Sequence, residues 1–251
     1  MKLFPHELRS QLRLYWRSRE LAFFTFLLPI IMFVLLGSVY GKDRVKPENV
    51  RGSDYLLAGM LGYGAISIGF AGMSIMLVIR RESGVLKRLR ATPLPASSYI
   101  GAVLTATLIA FALEAVTMVV LAHFLFDTHW PARIGSLVLA LLLGAGAFTA
   151  LGVALSALIR SAEGSSAVVN AIYLPLSFVS GAFFSPHHFP SFLRSIADVL
   201  PLSYVIRLVR DTALKDVQIW DRPRSVAVLA AWALAGTVVA LRRFRWEPSE
   251  G

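Results

Sequence analysis

The sequence predicts an all-α membrane protein. It has six transmembrane helices, an N-terminal interfacial amphipathic helix, and outer re-entrant short helices between spans five and six. Three observations carry that expectation. Hydrophobic residues make up 56% of the 251 and charged residues only 16%, against about 45–50% and about 25% in soluble domains. Six uncharged or nearly uncharged stretches recur along the chain, most reaching the ~20 helical residues that a bilayer core of ~30 Å requires. Lys and Arg gather at the ends of these stretches rather than within them. A soluble domain of this composition would expose large apolar patches and aggregate.

The chain opens on residues 5–20, where Leu8, Leu12, Tyr15 and Trp16 fall on one helical face and Arg9, Arg13 and Arg17 on another. Such a helix lies in the headgroup plane with its arginines snorkelling to water; a cytosolic extension of the first span is the plainer alternative. Spans are expected near 22–40, 55–79, 99–123, 134–159, 165–184 and 225–241. The first exceeds the ~7–15 apolar residues of a signal-peptide core and reads as a retained anchor. Glycines crowd spans two and four, among them Gly59, Gly62, Gly64, Gly69, Gly144 and Gly152. In lipid, helices associate through close backbone approach, which small residues permit.

Charge sets the orientation. The chain carries 25 Lys+Arg against 15 Asp+Glu, a net charge of +10. With both termini inside, the inner segments hold 14 Lys+Arg and the outer segments 11, of which six lie in the long 185–224 connection. The positive-inside rule therefore favours cytoplasmic termini, although Lys42, Arg44, Lys46 and Arg51 in the 41–54 loop pull the other way. The basic excess flanks spans, where it meets anionic headgroups. No nucleic-acid partner is expected.

Two connections are more than loops. In 84–92 there is room for about two helical turns between Gly84 and Pro93, with Val85, Leu86 and Leu89 on an apolar side and Lys87, Arg88 and Arg90 elsewhere. Pro93 and Pro95 stop that helix. A short cytosolic helix suits docking to a partner; a loop that merely orients the chain is the alternative. The outer segment 187–214 is divided by Pro190 and Pro201 into apolar pieces near 191–200 and 202–214, too short to span and too apolar to be open loop. They are expected to dip into the outer leaflet where protein or a wet cavity covers their backbone.

Chemistry-bearing residues are few. Glu114 sits inside the third span, where a charge costs about 3 kcal/mol on insertion scales; it either lines a pathway or pairs with a neighbouring helix. Asn170 and Tyr173 in the fifth span are further pathway candidates, or equally bond across helices. His187 and His188 lack a third ligand at metal spacing, and no metal is expected. The chain has no cysteine. It has no G-x-S-x-G, no H-E-x-x-H and no phosphate loop, its one Gly41-Lys42 pair running on into Asp43. Catalytic residues are therefore expected to be none, and a proton-coupled carrier using Glu114 stands as the alternative to a driven permease.

Several motifs together resemble the permease subunits of type 2 ABC exporters, the group exporting drugs, polysaccharides and lipids. Glu82-x-Gly84, a short basic helix and Ala91-Thr92-Pro93-Leu94 are similar to that family's inner loop between spans two and three. Ser180-Gly181-x-Phe183-Phe184, Phe189-Pro190, Ile196-Ala197 and Pro201-Leu202-Ser203-Tyr204 are similar to its stretch between spans five and six. Val85 and Lys87 depart from the Thr and Glu more common there, a difference that would tune which ATPase docks.

The resemblance implies a bacterial or archaeal cytoplasmic membrane, a second permease subunit (identical or not), surrounding membrane lipid, and one cytosolic ABC ATPase docked on each permease. It implies coupling through Glu82, Gly84, Leu86, Lys87, Arg88, Leu89, Arg90, Thr92 and Pro93, and an outer motif at Gly181, Phe183, Phe184, Pro190, Pro201 and Tyr204. No cofactor is expected on this chain; ATP and Mg would sit on the partner ATPase. The cargo implied is hydrophobic or amphiphilic: a drug, a lipid or a lipid-linked glycan.

Overall fold

A computed structural model describes residues 3–17, 27–45, 49–90, 96–159 and 161–243. Ten helices occupy the described residues: α1 (Leu3–Arg17), α2 (Leu28–Tyr40), α3 (Gly52–Glu82), α4 (Val85–Arg90), α5 (Ala96–Phe126), α6 (Ile134–Ser156), α7 (Ala162–Val179), α8 (Ser191–Ala197), α9 (Pro201–Leu214) and α10 (Pro223–Arg243). A two-residue antiparallel ribbon, β1 (Arg44–Val45) with β2 (Val50–Arg51), closes the loop before α3. Four helices are long and apolar enough to cross a bilayer: α3, α5 (over Ser98–Phe126), α6 and α10.

The organising element is α3. Every residue from Gly52 to Ile66 is buried, the signature of a helix that is apolar all round and enclosed by other helices. Its glycines set how close the neighbours come. A Cβ at Gly59 would overlap the Ala182 carbonyl oxygen, and one at Gly62 would meet Ile206 Cγ1 of α9 at 2.5 Å. Further along, α3 passes through a π-helical turn at Ser67–Gly72. There its backbone meets α6 so closely that a Cβ on Gly152 would overlap the Gly69 carbonyl. Ser74 Oγ donates across the same contact to the Gly152 carbonyl at 2.9 Å. Backbone contact of this kind replaces the hydrophobic drive that lipid cannot supply between helices.

Around this core the outward faces are apolar too. Leu35 of α2, Val116 of α5, Leu139 of α6, Ile172 of α7 and Leu234 of α10 are all exposed. Water would drive such faces together; acyl chains solvate them.

Several boundaries differ from the sequence expectation. The second span extends over Gly52–Glu82 rather than 55–79 and the third over Ala96–Phe126 rather than 99–123, because charged or polar ends continue a helix once its backbone bonds are made. The helix expected over 165–184 runs Ala162–Val179; Ser161 caps its start, and Gly181 at φ +85° turns the chain at its end. Glu163, Asn170 and Pro175 interrupt its apolar run, and it is not one of the four helices long and apolar enough to cross. The helix expected over 225–241 is Pro223–Arg243. The early part of the first span, residues 22–26, lies outside the described residues, as do 18–20 of the N-terminal helix.

The Leu8–Leu12 face of α1 packs on Ala106 and Ala110 of α5, so protein takes that face, while Arg9 and Arg13 are exposed. The two pieces of the 187–214 connection are α8 and α9. α9 is buried along nearly its whole length, Val205 packing on Gly144 and Leu202 and Ile206 on Gly62.

Gly59→Ala is expected to destabilise the protein by about 1–3 kcal/mol through overpacking against backbone that cannot yield, lowering the thermal midpoint in detergent. Gly146→Ala, where a Cβ would meet nothing within 4 Å, is expected to leave that midpoint unchanged or slightly raised.

Candidate functional site

The chemistry concentrates where α3 ends. Its last residues, Arg80, Arg81 and Glu82, each reach a different part of the bundle. Arg80 donates to Tyr99 Oη of α5 and to Gln11 Oε1 of α1, both at 2.7 Å, and Gln11 in turn donates to Glu7 Oε1 at 2.6 Å. Arg81 is buried and donates to the Ser156 carbonyl at 2.9 Å and to the Ile159 carbonyl. A guanidinium there satisfies carbonyls that the last turn of α6 leaves without partners and lies at the negative end of that helix's dipole. Glu82 accepts from the Ala162 backbone N–H, placing a carboxylate at the positive end of α7 beside the Ser161 cap.

Immediately beyond, Gly84 takes φ +70°, a conformation that a side chain would strain. The chain then forms α4, whose first turn is closed by Arg88 N–H donating to the Gly84 carbonyl at 3.0 Å. Leu86 is fully buried in a socket of Met73, Leu77, Tyr99 and Val103. Lys87 and Arg88 face outward, and Arg88 Nη2 also donates to the Ser83 carbonyl at 3.1 Å. α4 is therefore a small basic helix pinned by one leucine. The side chains of Leu89 and Arg90, and all of Thr92 and Pro93, lie outside the described residues.

The three pathway candidates do not converge. Glu114 is buried with its carboxylate against Gly64, where a Cβ would come within 2.8 Å of Oε2. Neither carboxylate oxygen has a hydrogen-bond partner among the described residues. Tyr173 instead shares a 3.2 Å hydrogen bond with Tyr63 Oη, and Tyr63 stacks edge-on to Phe183 at 5.4 Å. Asn170 bonds locally, to Ser166 Oγ at 3.3 Å.

The outer motif is compact. Gly181 turns beneath Pro186, Phe183 stacks on Phe178 at 4.8 Å, and Phe184 is exposed. Pro190 precedes α8, and Pro201 begins α9. Tyr204 Oη donates to the Asp198 carbonyl at 2.8 Å, locking α8 to α9. No three His, Asp or Glu side chains gather as metal ligands among the described residues.

Sequence reasoning did not single out Arg80, Arg81, Gln11 or Tyr99 as a linked set, nor Tyr63 as the partner of Tyr173. The available signal was the Arg-Arg-Glu run at the end of a long apolar helix, where charged residues complement the ends of neighbouring helices.

These features define a class: a multi-pass helical membrane protein with a small basic helix held at one end of its central span. The family model for ABC-2 type transporters matches residues 4–214, so the chain belongs to the ABC-2 type transporter family. It is a permease component, not itself an ATPase, and permeases of this family work with a cytosolic ATPase partner. No curated protein matches the chain.

Arg81→Met is expected to cost about 2–3 kcal/mol, because two carbonyls lose a charged donor, and to lower the thermal midpoint of the purified protein. Lys87→Met, on the exposed face of α4, is expected to change stability by less than about 0.5 kcal/mol.

Proposed function

We propose that the chain is the transmembrane subunit of an ATP-driven exporter, crossing the cytoplasmic membrane six times with both termini inside. The six-span layout adds α2 and α7 to the four long helices. α2 is the described end of an apolar stretch from residue 22, and α7 has the 18 residues to cross with its neighbours. In this reading α8 and α9 are the re-entrant pair, which the burial of α9 against Gly62 and Gly144 supports. Two permeases pair, and each seats one ATPase on the 84–92 segment. The cargo is hydrophobic or amphiphilic.

The observation that carries the reading is the mounting of α4. Its basic side faces out, Leu86 plugs it into the bundle, and the adjoining Arg80–Glu82 run bonds to α1, α5, α6 and α7. A push on α4 from ATPase closure is thereby delivered to four helices together. ATP shifts such an equilibrium by binding the closed ATPase pair better than the open one. The alternative, a proton-coupled carrier, needs Glu114 to meet an aqueous path, whereas its carboxylate packs against Gly64.

Reversing Lys87, Arg88 and Arg90 to Glu is expected to abolish co-purification with the partner ABC ATPase while leaving the permease folded. Equal recovery of the ATPase would overturn docking there. Proteoliposomes holding the permease alone, under an imposed proton gradient, are expected to show no uphill transport; accumulation lost in Glu114→Gln would establish the carrier instead.

A further inference from the structure

A second site lies at the other end of α3, away from α4. A cavity of about 570 Å³ runs between α8, α9 and the start of α10. All six cations of the 185–224 connection line it, against three carboxylates. Those carboxylates are already engaged. Asp198 pairs with Arg207; Asp211 pairs with Lys215 at 3.1 Å and with Arg222 at 2.7 Å; Asp221 accepts from the Gln218 backbone N–H at 3.1 Å. Six cations thus stand against three carboxylates in the cavity wall.

One wall is built from one face of α9. Ser203, Arg207, Arg210 and Asp211 stand at i, i+4, i+7 and i+8 on α9, whose other faces pack on α3 and α6. Arg210 is buried and stacks over the Tyr55 ring at 3.7 Å, which holds its charge at a fixed place. Deeper in, two buried hydroxyls, Ser180 Oγ and Ser203 Oγ, have no hydrogen-bond partner among the described residues. Ser203 lies in the first turn of α9, which begins at Pro201, so the carbonyl four residues back lies outside the helix. No side chain caps this helix start, so its backbone N–H groups add positive potential at the same end.

Cations along a wall, unpartnered hydroxyl donors in the floor and an uncapped helix start form a donor set for a tetrahedral oxyanion. We propose that this cavity binds a phosphate-class anion, either as the headgroup of an amphiphile or as a free phosphate. The inference deepens the exporter reading and rests on it for the placement of the cavity at the outer face. It gives the cargo, or a lipid that accompanies it, a negatively charged head.

The test uses the full chain in phosphate-free maltoside detergent, without ATPase or nucleotide, so that failure here leaves the permease reading standing. Two probes are titrated at constant ionic strength: inorganic pyrophosphate, and phosphatidylglycerol counted by native mass spectrometry. Saturable binding of at least one is expected. Arg194→Gln with Arg224→Gln should weaken it roughly tenfold or more, two charged donors being lost. Lys42→Gln, a cation of the same end outside this cavity, should leave it unchanged. Ser203→Ala, which removes only a hydroxyl, serves as a second variant should the double variant fold poorly, and should also weaken binding. Phosphatidylglycerol alone binding assigns the site to a lipid headgroup, and pyrophosphate alone to a soluble anion. Binding of neither probe, or equal binding by wild type and cavity variants, overturns the proposal.

Discussion

The structure depends on letting one helix be surrounded. In a bilayer, apolar side chains gain little by leaving lipid for protein, so α3 is held by contacts that lipid cannot make. Those are backbone meeting backbone at Gly59, Gly69 and Gly152, and a serine hydroxyl bridging at Ser74. The rest of the bundle is arranged around them: α9 and the 180–184 turn on the first half of α3, α6 across the π-helical turn, and α5 against Gly64 through Glu114. Bulk at any of these positions would push apart elements whose association depends on close approach.

The two ends of α3 show opposite uses of charge. At the α4 end, Arg80, Arg81 and Glu82 are consumed internally, each satisfying a neighbouring side chain or helix terminus, and the basic side of α4 is left for a partner. At the far end, six cations face three carboxylates, and two buried hydroxyls have no partner among the described residues. One end is wired to the bundle and presents a handle; the other presents a receptacle.

Much of this architecture was legible in the sequence. Uncharged runs marked the long helices, because a backbone in lipid must satisfy itself. Gly84 marked the turn into α4, and Pro201 the start of α9. What could not be read was pairing across the fold. Arg81 looks like any positive-inside residue until the open carbonyls of α6, 75 residues later, come to rest beside it. Glu82 drew attention as part of an ATPase-facing motif, yet its carboxylate is occupied by α7. Glu114 and Tyr173 looked like companions because both are polar within spans, but they meet different partners. In the sequence Arg207 and Arg210 count only among the six cations of the 185–224 connection, although their spacing along an otherwise apolar helix is visible there; only the burial of the opposite faces of α9 gives that spacing meaning.

The π-helical turn at Ser67–Gly72 has a consequence for how this chain can change over time. An α-helix advances about 100° per residue, and the wide turn resets the phase between the two halves of α3. The turn holds one residue more than an α-helical path needs, so losing one there would close it into ordinary α-helix with little rotation downstream, whereas losing one from the α-helical turns after Gly72 would rotate the end of α3 by about that angle. Arg80, Arg81 and Glu82 would swing away from their partners together, and α4 would leave with them. The wide turn is thus a place where α3 can lose a residue, while the number of residues between Gly72 and Arg80 is as much a determinant of the working protein as their identity.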